Sequence, residues 1–161
     1  MARAHGGNRT DPRRYRVARR RSVRLGGDGA VTYLLDTHIW LWSLLEPARL
    51  VPRVRRALGS TANELRLSPI SVWEVVVLVE KGRIRLNQDL DDWVRLALSS
   101  APLVEAPLTF EIARESRRVA LPHQDPADRF LVATARVADL VLVTADERLI
   151  EAGACRVLAN R

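Results

Sequence analysis

The stretch VTYLLDTHIWLW, residues 31–42, changes period in its middle. Val31 to Leu35 is a run of β-forming and aliphatic residues without charge, the pattern of a buried strand. From Thr37 the pattern turns helical, with tryptophans at 40 and 42, and it runs until Pro47 stops it. Asp36 is left at the carboxyl end of the strand. Capping does not explain it, because Thr37 beside it could start the helix as well.

The same alternation continues to the end of the chain. PRVRRALGSTAN reads as a polar-faced helix opening on Pro52, and LRLS as a short strand. SPISVWEVVVLVEKG is rich in valine, yet Ser68 as cap, Pro69 in the first turn and Gly82 at the close make it a helix. DLDDWVRLALSS is an amphipathic helix with an acidic first turn, LVEAPL a strand, and TFEIARESRRVA a helix. DPADRFLVATARVA is a helix, DLVLVT a buried strand, DERLIEAG a short helix ending in glycine, and CRVL a last strand. Strands alternating with helices at this spacing imply a single α/β domain: a central parallel sheet with helices on both faces. In such sheets a ligand binds beyond the carboxyl ends of the strands.

Length and composition agree with one domain. The chain has 161 residues, of which 47% are hydrophobic, enough for one core of ordinary size and too few for two. Every apolar run is broken by charge before it reaches the roughly 20 residues a membrane helix needs, so a soluble protein is expected. No h-region with a cleavage site marks the N-terminus for secretion. One cysteine, Cys155, excludes an internal disulfide and a thiolate metal cluster and fits a reducing cytoplasm; it reads as a small buried hydrophobe.

The charge is uneven. Residues 1–30 hold nine arginines against Asp11 and Asp28, which accounts for the whole net charge of +7 and leaves residues 31–161 neutral. Two expectations follow for residues 1–30. They are a basic, disordered leader able to touch nucleic-acid phosphates, or a stretch upstream of the true translational start near Val31. The residue usage favours the second, since arginine outnumbers lysine 25 to 1, as GC-rich coding produces, and valine can be encoded by a start codon. Residues 31–161 are expected to be the functional domain.

Four acids fall at strand ends or at the starts of the following helices: Asp36, Glu74, Asp128 and Asp146. In a doubly wound sheet all four converge on one edge, where carboxylates repel unless a cation lies between them. Hard oxygen ligands suit Mg²⁺ or Mn²⁺, which can activate water and neutralise charge on a phosphodiester. Each acid also has a plainer reading. Asp128 could complete an N-cap with Asp125, Glu74 could be a solvated helix charge, and Asp146 could cap DERLIEAG. The case rests on the four together.

LLDTHIWLW, SPISVWEVVVLVEKG, HQDPADRFLVATA and LVLVTADERL, in that order and spacing, resemble the PIN domain, specifically the VapC-type toxins of bacterial toxin–antitoxin pairs. The resemblance spans residues 31–161. It implies a cytoplasmic, metal-dependent endoribonuclease that hydrolyses RNA, is held inactive by a VapB-type antitoxin encoded by the adjacent gene, and forms a homodimer. Carried over residue by residue, it makes Asp36, Glu74, Asp128 and Asp146 the catalytic, metal-ligating acids. Thr37, Ser71 and Thr144 become their polar supports, while Asp125, also in the motif, is assigned to the helix cap.

Other residues remain open. His38 and His123 flank the acids and could shuttle protons or simply pack in loops. Arg129 could touch phosphate or pair with a neighbouring acid. The four tryptophans could stack on bases, although helical tryptophans are mostly core. Competing functions are a receiver-type phosphoacceptor module, with Asp36 phosphorylated, and a PIN-fold binding domain without activity. The first needs a lysine late in the fold, and the only lysine is Lys81; the second usually lacks an acid, and none is lost. A serine or cysteine hydrolase lacks its G-x-S-x-G elbow and its neighbouring histidine.

Overall fold

The computed structural model describes residues 29–161. The expected leader, apart from Gly29 and Ala30, lies outside the described residues. Strand β1 (Thr32–Leu35) leads into helix α1 (Thr37–Leu45), a 3₁₀ turn at Pro47–Arg49 and helix α2 (Pro52–Gly59). Then come β2 (Glu64–Leu67), α3 (Pro69–Glu80), α4 (Leu90–Ser99), β3 (Leu103–Glu105) and α5 (Phe110–Ser116). The chain closes with α6 (Pro126–Val137), β4 (Val141–Thr144), α7 (Glu147–Ala152) and β5 (Val157–Ala159).

The strands form one parallel sheet in the order β3-β2-β1-β4-β5. β1 sits in the middle, paired through Leu35↔Leu67 with β2 and through Leu35↔Val143 with β4. From β1 the chain runs outward to β2 and β3, then returns to lay β4 and β5 on the other side. The carboxyl ends of β1 and β4 therefore flank the point where the winding reverses, the crevice in which open α/β sheets bind ligands.

Alternation along the strands divides the interior. Leu34 and Leu142 pack with Leu131, Val132 and Ala135 of α6, Ile112 of α5 and Leu149 of α7. Leu35, Leu67 and Val143 face the opposite way, onto Ile39, Trp40 and Leu41 of α1, Val54 of α2, Val75 of α3 and Ala97 of α4. Strand side chains alternate faces, so one strand feeds both cores and helices are required on each side. Cys155 packs at the margin of the first core, and burial pushes its thiol up to about 11, which leaves it inert as expected.

Helix boundaries follow their caps. Ser68 Oγ accepts from Ile70 N at 3.3 Å with Pro69 in the first turn, and Gly82 past the end adopts φ 65°, so the valine-rich segment is helical. α5 stops at Ser116, short of the Ala120 suggested by TFEIARESRRVA. The buried guanidinium of Arg129 draws off the carbonyls at that end: Nε donates to Ser116 O at 3.0 Å, and Nη2 to Val119 O at 2.7 Å and Arg117 O at 3.4 Å.

Candidate active site

Asp36 occupies the N-cap position of α1 but makes no capping bond with its side chain. Thr144 Oγ1, at the end of β4, donates to Asp36 Oδ2 instead, and the same hydroxyl accepts from Asp146 N at 3.0 Å. One threonine thus ties the ends of β1 and β4 together. Asp36 is 5% exposed, and burial raises its carboxyl above the usual range against the lowering effect of Thr144.

Glu74 enters from the second turn of α3. Thr37 Oγ1 donates to its Oε2 at 2.6 Å, joining the first turn of α1 to α3. Burial, then the charges of Asp36 and Asp125, raise the Glu74 carboxyl, while the Thr37 bond opposes them. The solvated helix-face reading of Glu74 therefore does not describe it.

On α6 the two acids divide their work. Asp125 is the cap, accepting from Ala127 N at 3.0 Å, and Asp128 caps nothing. Asp128 is pushed up to about 7, first by burial and then by the charges of Asp36, Asp125, Asp146 and Glu74. His123 Nδ1 accepts from Asp125 N at 3.3 Å, which turns Nε2 toward Asp128 Oδ2 at 3.5 Å.

Asp146 stands apart. Its Oδ1 accepts from Arg148 N at 2.8 Å, so the capping role is real, and the Arg148 guanidinium grips both oxygens, with Nε to Oδ1 at 3.1 Å and Nη2 to Oδ2. That pairing holds the Asp146 carboxyl below the usual range. Arg148 also reaches to 4.0 Å from Asp128 Oδ2. Sequence reasoning passed over Arg148, although an acid-x-Arg spacing at a helix start could have shown that this acid carries its own counter-ion.

Of the supporting residues, Thr37 and Thr144 hold acids, while Ser71 Oγ is fully buried with no hydrogen-bond partner among the described residues. Arg129 neither pairs with an acid nor faces outward; besides the carbonyls that end α5 it donates to His123 O at 3.4 Å. Trp40 is buried against Trp93, with ring centroids 5.8 Å apart. Trp42 lies partly buried in a cleft of about 490 Å³ between α1 and α3, with Arg49 stacked 4.0 Å over its ring and the exposed His38 6.0 Å away. Trp73 is the exposed one.

The donor set fits a hard divalent cation in kind. It is all carboxylate oxygen, and Asp128 feels the negative charge of every other acid in the site. As they stand, among the described residues no three of these side chains are drawn together into a cage for one ion. Each is instead held by a neighbour: Asp36 by Thr144, Glu74 by Thr37, Asp146 by Arg148.

Residues 33–154 match the family model of the PIN domain. The chain is 36% identical over 121 residues to ribonuclease VapC22 of Mycobacterium tuberculosis, covering 73% of this chain and 89% of that protein. Among solved structures it resembles VapBC2 from Rickettsia felis bound to a DNA fragment from their promoter, with TM-score 0.62, 15% identity, and coverage of 80% of this chain and 98% of that one. It also resembles DNA-bound VapBC from Salmonella typhimurium, with TM-score 0.58, 18% identity, and coverage of 81% and 99%.

Proposed function

The chain belongs to the PIN domain family, and from that premise we propose that it is a metal-dependent endoribonuclease toxin, acting in the cytoplasm and restrained by an antitoxin. The observation that carries this reading is the gathering of acids at the carboxyl ends of β1 and β4: Thr144 joins Asp36 to the Asp146 backbone, Thr37 holds Glu74 beside them, and Arg148 spans Asp146 and Asp128. A fold keeps several carboxyls at one place where a cation is to be taken up. In this reading Asp36, Glu74 and Asp128 hold Mg²⁺ or Mn²⁺, with Asp146 beside them. A bound divalent ion supplies a Lewis acid that makes water a competent nucleophile at neutral pH and neutralises charge on phosphoryl oxygen.

The chain's own groups prepare that chemistry. Thr144 and Thr37 each donate to one oxygen of Asp36 and Glu74, fixing the carboxylates so that the other oxygen is free to ligate. Burial of Asp36 keeps competing water from its charge. An RNA backbone laid across the carboxyl ends of β1 and β4 brings its phosphate to these acids. Attack by water on phosphorus, with the 3′ oxygen leaving, gives a 5′-phosphate and a 3′-hydroxyl.

Two surfaces suit partners. The cleft beside Trp42 is lined by Leu41, Leu45, Leu78 and Ile84, with Arg83 and the pair Arg49–Glu46 on its rim, so that among the described residues Arg83 is its one cation without an acid in the lining. An amphipathic acidic segment of a VapB-type antitoxin fits that combination. A second copy of the chain is the proposed occupant of the apolar surface near β3, where Val104 is exposed and Phe110 is 89% exposed.

The test is cleavage of RNA by the purified protein in Mg²⁺ or Mn²⁺ and its arrest by EDTA. Metal-independent cleavage, or 2′,3′-cyclic ends, would overturn the mechanism. Production of the protein alone should arrest growth, and co-production of the adjacent gene product should restore it.

A further inference from the structure

The four acids are not equivalent in the resting protein. Asp36 and Glu74 are partnered by hydroxyls, and Asp128 faces His123 at 3.5 Å and the edge of Arg148 at 4.0 Å. None of these three has an arginine or lysine of its own; the nearest, Arg148, stands 4.0 Å from Asp128. Asp146 has no such need. The Arg148 guanidinium takes both its oxygens, and the Arg148 backbone N–H takes one of them a second time.

We propose that Arg148 keeps Asp146 out of the ion site of the resting protein, so that the first divalent ion is taken by Asp36, Glu74 and Asp128, and Asp146 joins only when the guanidinium moves to a substrate phosphate. This rests on the ribonuclease reading of the site. The guanidinium engages both oxygens of Asp146, so an ion approaching this carboxylate meets a positive charge and two oxygens already in use. Its hold is reversible. The Arg148 side chain is 58% exposed, on the rim of an open cleft lined by Leu121, Pro122, His123 and Glu151, so the pair is screened by water and weakly held. A phosphodiester offers the same fork of two oxygens, and guanidinium binds phosphate in that geometry. Arriving RNA would thus draw Arg148 away and release Asp146 by the same movement. Asp36 and Glu74 have no such exchange available, because their partners are the neutral hydroxyls of Thr144 and Thr37.

The experiment is Mn²⁺ titration of the full chain without RNA, following free Mn²⁺ by electron paramagnetic resonance. Asp128→Asn should abolish tight binding while Asp146→Asn leaves the affinity within about twofold, because the Arg148 guanidinium already offsets the charge that is lost. Arg148→Gln should tighten Mn²⁺ binding by roughly fivefold, the most an exposed pair supports. In the Asp146→Asn background that gain should shrink to about twofold or less, the remainder left by the 4.0 Å approach of Arg148 to Asp128. With RNA, Arg148→Gln should raise KM while Mn²⁺ affinity rises, two shifts of opposite sense. Equal losses from Asp128→Asn and Asp146→Asn would overturn the proposal. So would a gain from Arg148→Gln that persists in full in the Asp146→Asn background, since that reports a general field and not competition for one carboxylate. A tighter ion with unchanged KM would overturn the transfer to phosphate. If the parent binds no Mn²⁺ at all, the metal reading of the site itself fails, an outcome distinct from the others. Melting curves of each variant establish that all are folded.

Discussion

Asp128 and Asp146 are both aspartates in the first turn or at the cap of a short helix, yet burial and partners push their carboxyls in opposite directions. The consequence for stability has a definite sign. Asp128 is raised to about 7 from an ordinary value near 3.9, so the folded, metal-free protein binds a proton there that the unfolded chain releases at lower pH. That stabilisation is fully present below about pH 4 and is lost as pH rises through about 7. Thermal melts in EDTA should therefore show the melting temperature falling between pH 5 and pH 8 through this group, and Asp128→Asn should flatten that part of the profile. Asp36→Asn and Asp128→Asn should each abolish cleavage while leaving the metal-free protein as stable as the parent or more stable by about 0.5–2 kcal/mol, a trade common at functional sites. Asp146→Asn should show no such gain. It loses the ion pair with Arg148 while asparagine still caps α7, and an unfolding free energy lower by up to about 1 kcal/mol in urea titration is expected. A stabilised Asp146→Asn would mean that its charge is strained like the others.

Helices α3 and α6 begin where a cap and a proline agree, at Ser68–Pro69 and Asp125–Pro126, and these starts were legible because capping is local. The end of α5 was not, because it depends on a residue thirteen positions away. Arg129 is 7% exposed and donates to the carbonyls of Ser116, Arg117, Val119 and His123, so one side chain closes α5 and pins the segment that carries His123 beside Asp128. The expectation that it meets phosphate or an acid fails for that reason: its donors are consumed by backbone. Arg129→Met should destabilise the protein by about 3 kcal/mol or more, because buried carbonyls are left without donors. Urea unfolding measures this, and Arg129→Lys should recover only part of it, since an ammonium cannot reach four carbonyls in a plane. A neutral Arg129→Met would show that water satisfies those carbonyls as well.

The described residues 29–161 together hold two packed cores, a five-stranded sheet and the four acids. A chain beginning at Gly29 should accordingly unfold with the same denaturant midpoint as the full chain and cleave RNA in the same metal dependence; loss of soluble protein on truncation would place part of the fold before Gly29. The sequence by itself determined the order of strands and helices and the parallel α/β architecture, and it singled out four acids at strand ends and helix starts. Each of these is carried by local periodicity, by caps, or by a motif whose spacing survives in one dimension. Only the tertiary structure decided which hydroxyl serves which acid. Thr37 meets Glu74 across 37 positions and Thr144 meets Asp36 across 108, contacts set by the sheet order around β1 and by α3 packing over it. It also decided that the acids differ in charge state. A carboxyl's protonation depends on burial and on every charge within a few ångströms, and neither quantity exists until the chain has folded.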